Sequence, residues 1–194
     1  MEKEKLIEQI LDLEWHAFQH VQNEGGRAAC QDNKITFYIM RKSQYLCWPK
    51  YLLESYMEDF LYANSEGRNL VEEKYARMEE ITAPDRFETL KHLLPSQTDE
   101  QKKIIKVIAA KQSRWAAEFY RKNPEIARRS RSIDTDSNGF TSSETYLIGE
   151  LGTYSLSTLK LYNRWMEELQ ENEINPVRET VKNTIRLFRE AADL

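Results

Sequence analysis

The stretch TDEQKKIIKVIAAKQSRWAAEFYRK, residues 98–122, decides how the rest of the chain is read. It contains no glycine or proline, and Thr98-x-x-Gln101 forms a capping box at its start. Ile105, Ile108, Trp115 and Phe119 recur at helical spacing, which predicts one amphipathic helix to about Lys122. Gln112 is set within that apolar row. Downstream, Asn123-Pro124 opens a brief basic helix, and a polar loop covers residues 134–142. A long helix then runs to about Asn172. Asn175-Pro176 starts the last one, with Val177, Val181, Ile185 and Phe188 on one side. Upstream, a short helix spans about residues 85–94, and Asn69 caps another that Pro84 stops. Pro49 begins a helix that Gly67 closes, and Asp32 or Asn33 caps one running to Trp48. The first helix spans about residues 3–23, before Gly25-Gly26. No strand pattern, repeat or linker interrupts this order. The expectation is an all-α fold: one compact multi-helix bundle of roughly seven to nine helices, with residues 1–194 in a single domain.

Composition narrows the function classes. The 194 residues carry 28 Lys+Arg against 32 Asp+Glu, a net charge of −4, which argues against a nucleic-acid partner. No apolar run approaches the roughly 18–20 residues of a membrane span, and the opening Glu2-Lys3-Glu4-Lys5 is no signal peptide. Cys30 and Cys47 form no C-x-x-C pair, so neither a disulfide framework nor a structural zinc site is expected. These features fit a cytoplasmic, bacterial-type protein. H-E-x-x-H, a phosphate-binding glycine loop, a His-Asp dipeptide and paired Glu-x-x-His motifs are all absent from the sequence.

Helical wheels isolate polar residues on apolar faces. In the first helix Ile7, Leu11, Phe18 and Val21 share an arc that also contains Glu14, while His16 and His20 fall on the solvated side. In the second, Arg41 and Gln44 lie between Phe37 and Trp48, and Ile35, Ile39 and Leu46 form a core side, so this helix reads as buried nearly all round. In the fourth, Lys74 lies among Leu70, Val71, Met78 and Ile81, with Glu73 pointing away. Glu144 heads a seam Glu144, Ile148, Leu151, Ser155, Thr158, Tyr162. Burying such charges alone costs many kcal/mol, so they pair, neutralise or meet a ligand. A register-fixing ion-pair network and a ligand pocket both satisfy that requirement. Gly149 and Gly152 lie off the seam, which favours close helix packing over room for a ligand.

Two loops place an arginine beside glycine: Gly25-Gly26-Arg27-Ala28-Ala29-Cys30-Gln31 and Gly67-Arg68-Asn69. With alternating helix directions both lie at one end, where backbone N–H groups and guanidinium forks would hold an anion. The alternative is helix termination, the arginines satisfying terminal carbonyls. Cys30 beside Arg27 is a candidate nucleophile, although a lone cysteine is usually inert. Asp134, Asp136 and Asn138, followed by Gly139, match the first half of a calcium loop. The twelfth position is Thr145 rather than glutamate, and a polar turn with a capping box Thr141-x-x-Glu144 accounts for the same residues. Calcium there is a weak possibility. No other metal or cofactor is expected.

Several of these segments recur as longer motifs: Val21-Gln22-Asn23-x-Gly-Gly-Arg-Ala-x-Cys-Gln31, Gly67-Arg68-Asn69-Leu70-x-x-Glu73-Lys74-Tyr75-Ala76-Arg77-Met78 and Ser143-Glu144-Thr145-Tyr146-x-x-Gly149-Glu150-Leu151-x-Thr153-Tyr154-Ser155. Together with Glu14-Trp15 and Met40-Arg41-x-Ser-Gln44 they resemble a bacterial domain family of unknown function. The resemblance covers nearly the whole chain and implies no activity or cofactor. It marks Glu14, Arg27, Cys30, Gln31, Arg41, Gln44, Arg68, Asn69, Lys74 and Glu144 as motif positions, and it leaves out the polar loop.

The functional expectation is a polar pocket in which Arg27, Arg41 and Arg68 hold an anionic small molecule, with Cys30, Gln31, Gln44, Asn69, Gln112 and Ser155 as further ligand contacts. Glu14, Lys74 and Glu144 are the candidate catalytic groups for metal-free acid–base chemistry of lyase, isomerase or hydrolase type. The alternative is a ligand sensor or protein-interaction module whose buried charges only fix the fold.

Overall fold

The computed structural model describes residues 2–22, 26–136 and 141–193. Among these the chain is all-α, with ten α-helices and no strand. In order they are α1 (Lys3–Gln19), α2 (Lys34–Tyr45), α3 (Lys50–Ser65), α4 (Leu70–Thr82), α5 (Pro84–Leu90), α6 (Asp99–Lys122), α7 (Pro124–Ala127), α8 (Ser143–Leu151), α9 (Leu156–Glu171) and α10 (Pro176–Ala192). The tenth arises because the segment expected as one helix to Asn172 is two. The hydroxyl of Thr153 donates to the Glu150 carbonyl (2.7 Å), and Ser155 starts a new helix by accepting the Thr158 N–H (3.2 Å). Ser155 is therefore an N-cap, not a member of a continuous seam.

Most other boundaries follow the expected chemistry. Asn33 caps α2 through the Thr36 N–H (3.0 Å), and the Thr98–Gln101 capping box starts α6. At the end of α3, Gly67 takes φ +72°. Its N–H bonds the Asn64 carbonyl while the Arg68 N–H reaches Ala63, the paired bonds of a Schellman motif. The first helix ends sooner than expected, at Gln19, and Ser142 rather than Thr141 caps α8.

The chain divides into two compact units, Met1–Glu72 with Arg178–Leu194, and Glu73–Val177. The division falls inside α4 and α10. In the first unit α1 packs on α2 and α3. Leu6, Ile7, Ile10 and Leu11 meet a core that also holds Leu52, Leu53 and Phe60. Helix α2 buries two sides, Ile39 with Ser43 and Arg41 with Tyr45, but Ile35 is 68% exposed and Met40 is exposed too. The wheel marked both sides as core, and the structure departs from it at Ile35, in the first turn, and at Met40. In the second unit α6 packs against α8 and α9. Gly149 is the close-approach position: a Cβ there would lie 2.5 Å from Met78 Cγ and 2.8 Å from the Lys74 carbonyl. Gly152, the C-cap of α8, is also a packing position, although a Cβ there would meet the flexible side chains of Arg77 and Gln97.

Candidate functional site

In the first unit the charges misplaced on α1 and α2 meet each other. Glu14 is 3% exposed and Arg41 is 8% exposed. The Arg41 Nε and Nη2 groups donate side-on to Glu14 Oε2 (3.0 Å) and Oε1 (2.6 Å). The hydroxyls of Tyr45 (2.5 Å) and Tyr56 (2.7 Å) also donate to Oε1. Arg41 Nη1 donates outward to Gln44 Oε1 at 2.7 Å, on an exposed residue. A two-pronged pair with added hydroxyl donors is the arrangement that offsets the desolvation of a buried carboxylate. Tyr45 was not singled out from the sequence, and Tyr56 stands out there only as one of the aromatic residues of α3. Tyr45 lies on the helical turn after Arg41, and that spacing was the available signal.

The two arginine loops do meet at one place, the C-terminal end of α1, and there they supply donors to carbonyls. Gln31 Nε2 donates to the carbonyls of Phe18 (2.8 Å) and Val21 (3.3 Å), and Asn69 Nδ2 donates to that of Ala17 (2.9 Å). Asn69 Oδ1 meanwhile caps α4 through the Val71 and Glu72 N–H groups. Arg27 donates to Asp32 (2.8 Å), to the Gln31 carbonyl (2.8 Å) and to Gln19. Arg68 is half-buried. A helix C-terminus carries partial negative charge, which explains why this end attracts the amide donors of Gln31 and Asn69. Gly25, in the same loop, lies outside the described residues. Cys30 is exposed and Cys47 is partly buried. Burial pushes the Cys47 thiol up, partly offset by hydrogen bonds with Thr180 and Asn183.

The second unit builds a different cluster around Lys74, which is 7% exposed. Its ammonium donates to the Tyr146 hydroxyl (2.8 Å) and lies 3.7 Å from Glu150 Oε2. It also faces the rings of Tyr146 (4.3 Å to the centroid) and Tyr75 (5.1 Å). The Tyr154 hydroxyl donates to Glu150 Oε1 at 2.9 Å. Lys74 thus pairs with Glu150, which the sequence did not single out, rather than with Glu144. Glu144 is half-buried and accepts from Ser113 Oγ at 2.6 Å. Glu73, expected to point away, is buried, whereas Ile81 is exposed. The buried arc of α4 is therefore rotated toward Glu73. Gln112 Oε1 is shielded from solvent with no hydrogen-bond partner among the described residues.

Helix α8 is held at its start by its own chain. The Ser142 N–H bonds Asp136 Oδ1 (2.6 Å), the N–H groups of Ser143 and Glu144 bond the carbonyls of Ser132 and Ile133, and Thr145 N–H bonds Ser142 Oγ. All four N-terminal donors are satisfied, so this helix start is not an anion site. Asp136 Oδ2 also accepts from Thr145 Oγ1, and Asp134 accepts from Thr135. Asn138, the third residue of the calcium possibility, lies outside the described residues. Among the described residues no three His, Cys, Asp or Glu side chains converge as metal ligands. No helix among them is long and apolar enough to cross a membrane.

Residues 4–188 match the family described as a protein of unknown function (DUF4125), so the match spans both units. The chain belongs to that family of helical domains of unknown function. No curated protein and no solved structure matches it.

Proposed function

We propose that the second unit binds a small anionic molecule and transfers a proton to or from it. Tyr146 Oη is the atom that exchanges the proton, and Lys74 stabilises the phenolate. One observation carries this reading: a buried ammonium lies 2.8 Å from the hydroxyl of a tyrosine that is itself only half-buried. The interior cation thus meets a residue that keeps partial solvent exposure. Electrostatic stabilisation by a fixed ammonium in a water-poor setting suits a group that shuttles between phenol and phenolate. Glu144 is the second proton-handling group of the unit. Glu14 is reassigned to structure, because both its oxygens are taken up by Arg41 and two tyrosines. The reaction classes that fit are lyase, isomerase or hydrolase steps on a small anion.

The test is solvent-deuterium incorporation into a panel of small oxo-carboxylates, combined with thermal-shift measurements on the same panel. Exchange that is lost in Tyr146→Phe and Lys74→Met, with helical content retained, supports the reading. Exchange that survives both variants, or is absent from the wild type across the panel, removes it. The saturated Glu14–Arg41 pair favours a second reading, a non-catalytic sensor or interaction module. That reading expects a panel member to stabilise the protein without any exchange.

A further inference from the structure

Arg131 stands over the ring of Tyr146, beside the Lys74–Tyr146 pair, and makes no hydrogen bond to either residue among the described residues. Its guanidinium carbon lies 5.5 Å from the Tyr146 ring centroid. Its Nη1 donates to the Thr141 carbonyl at 3.1 Å. Immediately downstream, the carbonyls of Ser132 and Ile133 accept the Ser143 and Glu144 N–H groups at 2.9 and 2.8 Å, and Ser143 Oγ donates to both. The backbone next to Arg131 is therefore pinned to the start of the helix that carries Tyr146. Arg131 itself is exposed, and its Nε and Nη2 groups have no partner among the described residues.

Nε and Nη2 form the side-on edge of a guanidinium, two parallel N–H groups spaced to match the two oxygens of a carboxylate. The chain uses that same edge of Arg41 to hold Glu14 at 3.0 and 2.6 Å. We infer that the Nε/Nη2 edge of Arg131 binds the carboxylate group of the small anionic ligand and sets the rest of that molecule over Tyr146. The inference rests on the proton-transfer reading for Tyr146 and adds the ligand class, a carboxylate, and the residue that selects it. Arg131 acts as an anchoring residue, while the proton moves at Tyr146 Oη.

The experiment measures binding of malonate, succinate and inorganic phosphate to the full chain by calorimetry, alongside deuterium exchange into the oxo-carboxylate panel. Arg131→Lys keeps the charge and loses the fork, Arg131→Gln loses both, and Arg128→Gln removes an equally exposed charge nearby. The expected result is malonate or succinate affinity at least tenfold weaker in both Arg131 variants and unchanged in Arg128→Gln. Equal losses in Arg131→Gln and Arg128→Gln would show diffuse charge alone and overturn the assignment. So would wild-type protein that binds phosphate but neither dicarboxylate, or none of the three. If Arg131→Lys binds malonate as the wild type does while Tyr146→Phe abolishes exchange, the anchor falls and the proton-transfer pair stands. If Tyr146→Phe exchanges normally while Arg131→Lys loses malonate, the anchor stands and the pair falls.

Discussion

Arg41 and Arg131 place the same side chain in opposite settings in two regions of the molecule. Arg41 is buried, and the edge that would grip an anion is closed by the chain's own Glu14 and reinforced by Tyr45 and Tyr56. Arg131 is exposed, donates through Nη1 to the Thr141 carbonyl and lies over the Tyr146 ring, and its matching edge has no partner among the described residues. Burial without a partner is too costly for a guanidinium, so an interior arginine arrives with its carboxylate already in place. At the surface water satisfies the same edge, which leaves it available for exchange with a ligand. A misplaced charge on an apolar face is thus a poor indicator of a site by itself.

The largest effect should come from opening the closed pair. Glu14→Ala leaves Arg41 buried without its carboxylate, and the expected loss is about 3–5 kcal/mol in urea denaturation. Cys47, in the same unit, provides a second readout. Its thiol is pushed up by burial, so at neutral pH it stays protonated and slow to alkylate, whereas exposed Cys30 reacts first. Glu14→Ala should speed Cys47 labelling. A loss below about 1 kcal/mol with unchanged labelling would remove the contrast between a structural cluster and a functional one.

A smaller effect, about 1–3 kcal/mol, is expected for Gly149→Ala, whose Cβ would press on Met78 and on the Lys74 carbonyl. Because the second contact is backbone, the variant should also shift Lys74 and slow deuterium exchange more than its stability loss alone implies. Normal exchange in a destabilised Gly149→Ala would mean that the position of Lys74 is not critical. Ser155→Ala should cost about 1 kcal/mol through the lost N-cap of α9. No change there would restore the idea of one continuous helix. Smallest of all, Arg131→Gln should leave stability within about 0.5 kcal/mol, since the side chain is exposed, while weakening carboxylate binding.

Much of the helical order was legible in the chain because its punctuation is local. Asn33, Thr98 and Ser155 cap through atoms within three residues, and Gly67 turns where only a left-handed residue closes α3. The break at residues 152–155 was missed although its signals, Gly152 and Ser155, were in view, because the apolar spacing on either side runs on in phase. Glu14, Arg41 and Lys74 were found as buried charges from wheels alone. Their partners were less accessible. Glu14 and Arg41 are 27 residues apart and Lys74 and Tyr146 are 72 apart, and periodicity within one helix carries no information on which helix lies opposite.

That limit also accounts for Lys74 meeting Glu150 instead of Glu144, and for Glu73 being buried. A wheel gives the direction of a side chain relative to its own helix, while burial depends on the neighbour's position. The apolar repeat of residues 98–122, the sparse glycines and prolines, and the caps determined by themselves that this chain is all-α and where most helices begin and end. Those are effects within a few residues, set by backbone hydrogen bonding. Only the tertiary structure decided which charges closed on one another and which arginine stayed exposed, because both depend on desolvation, which exists only once distant helices have packed.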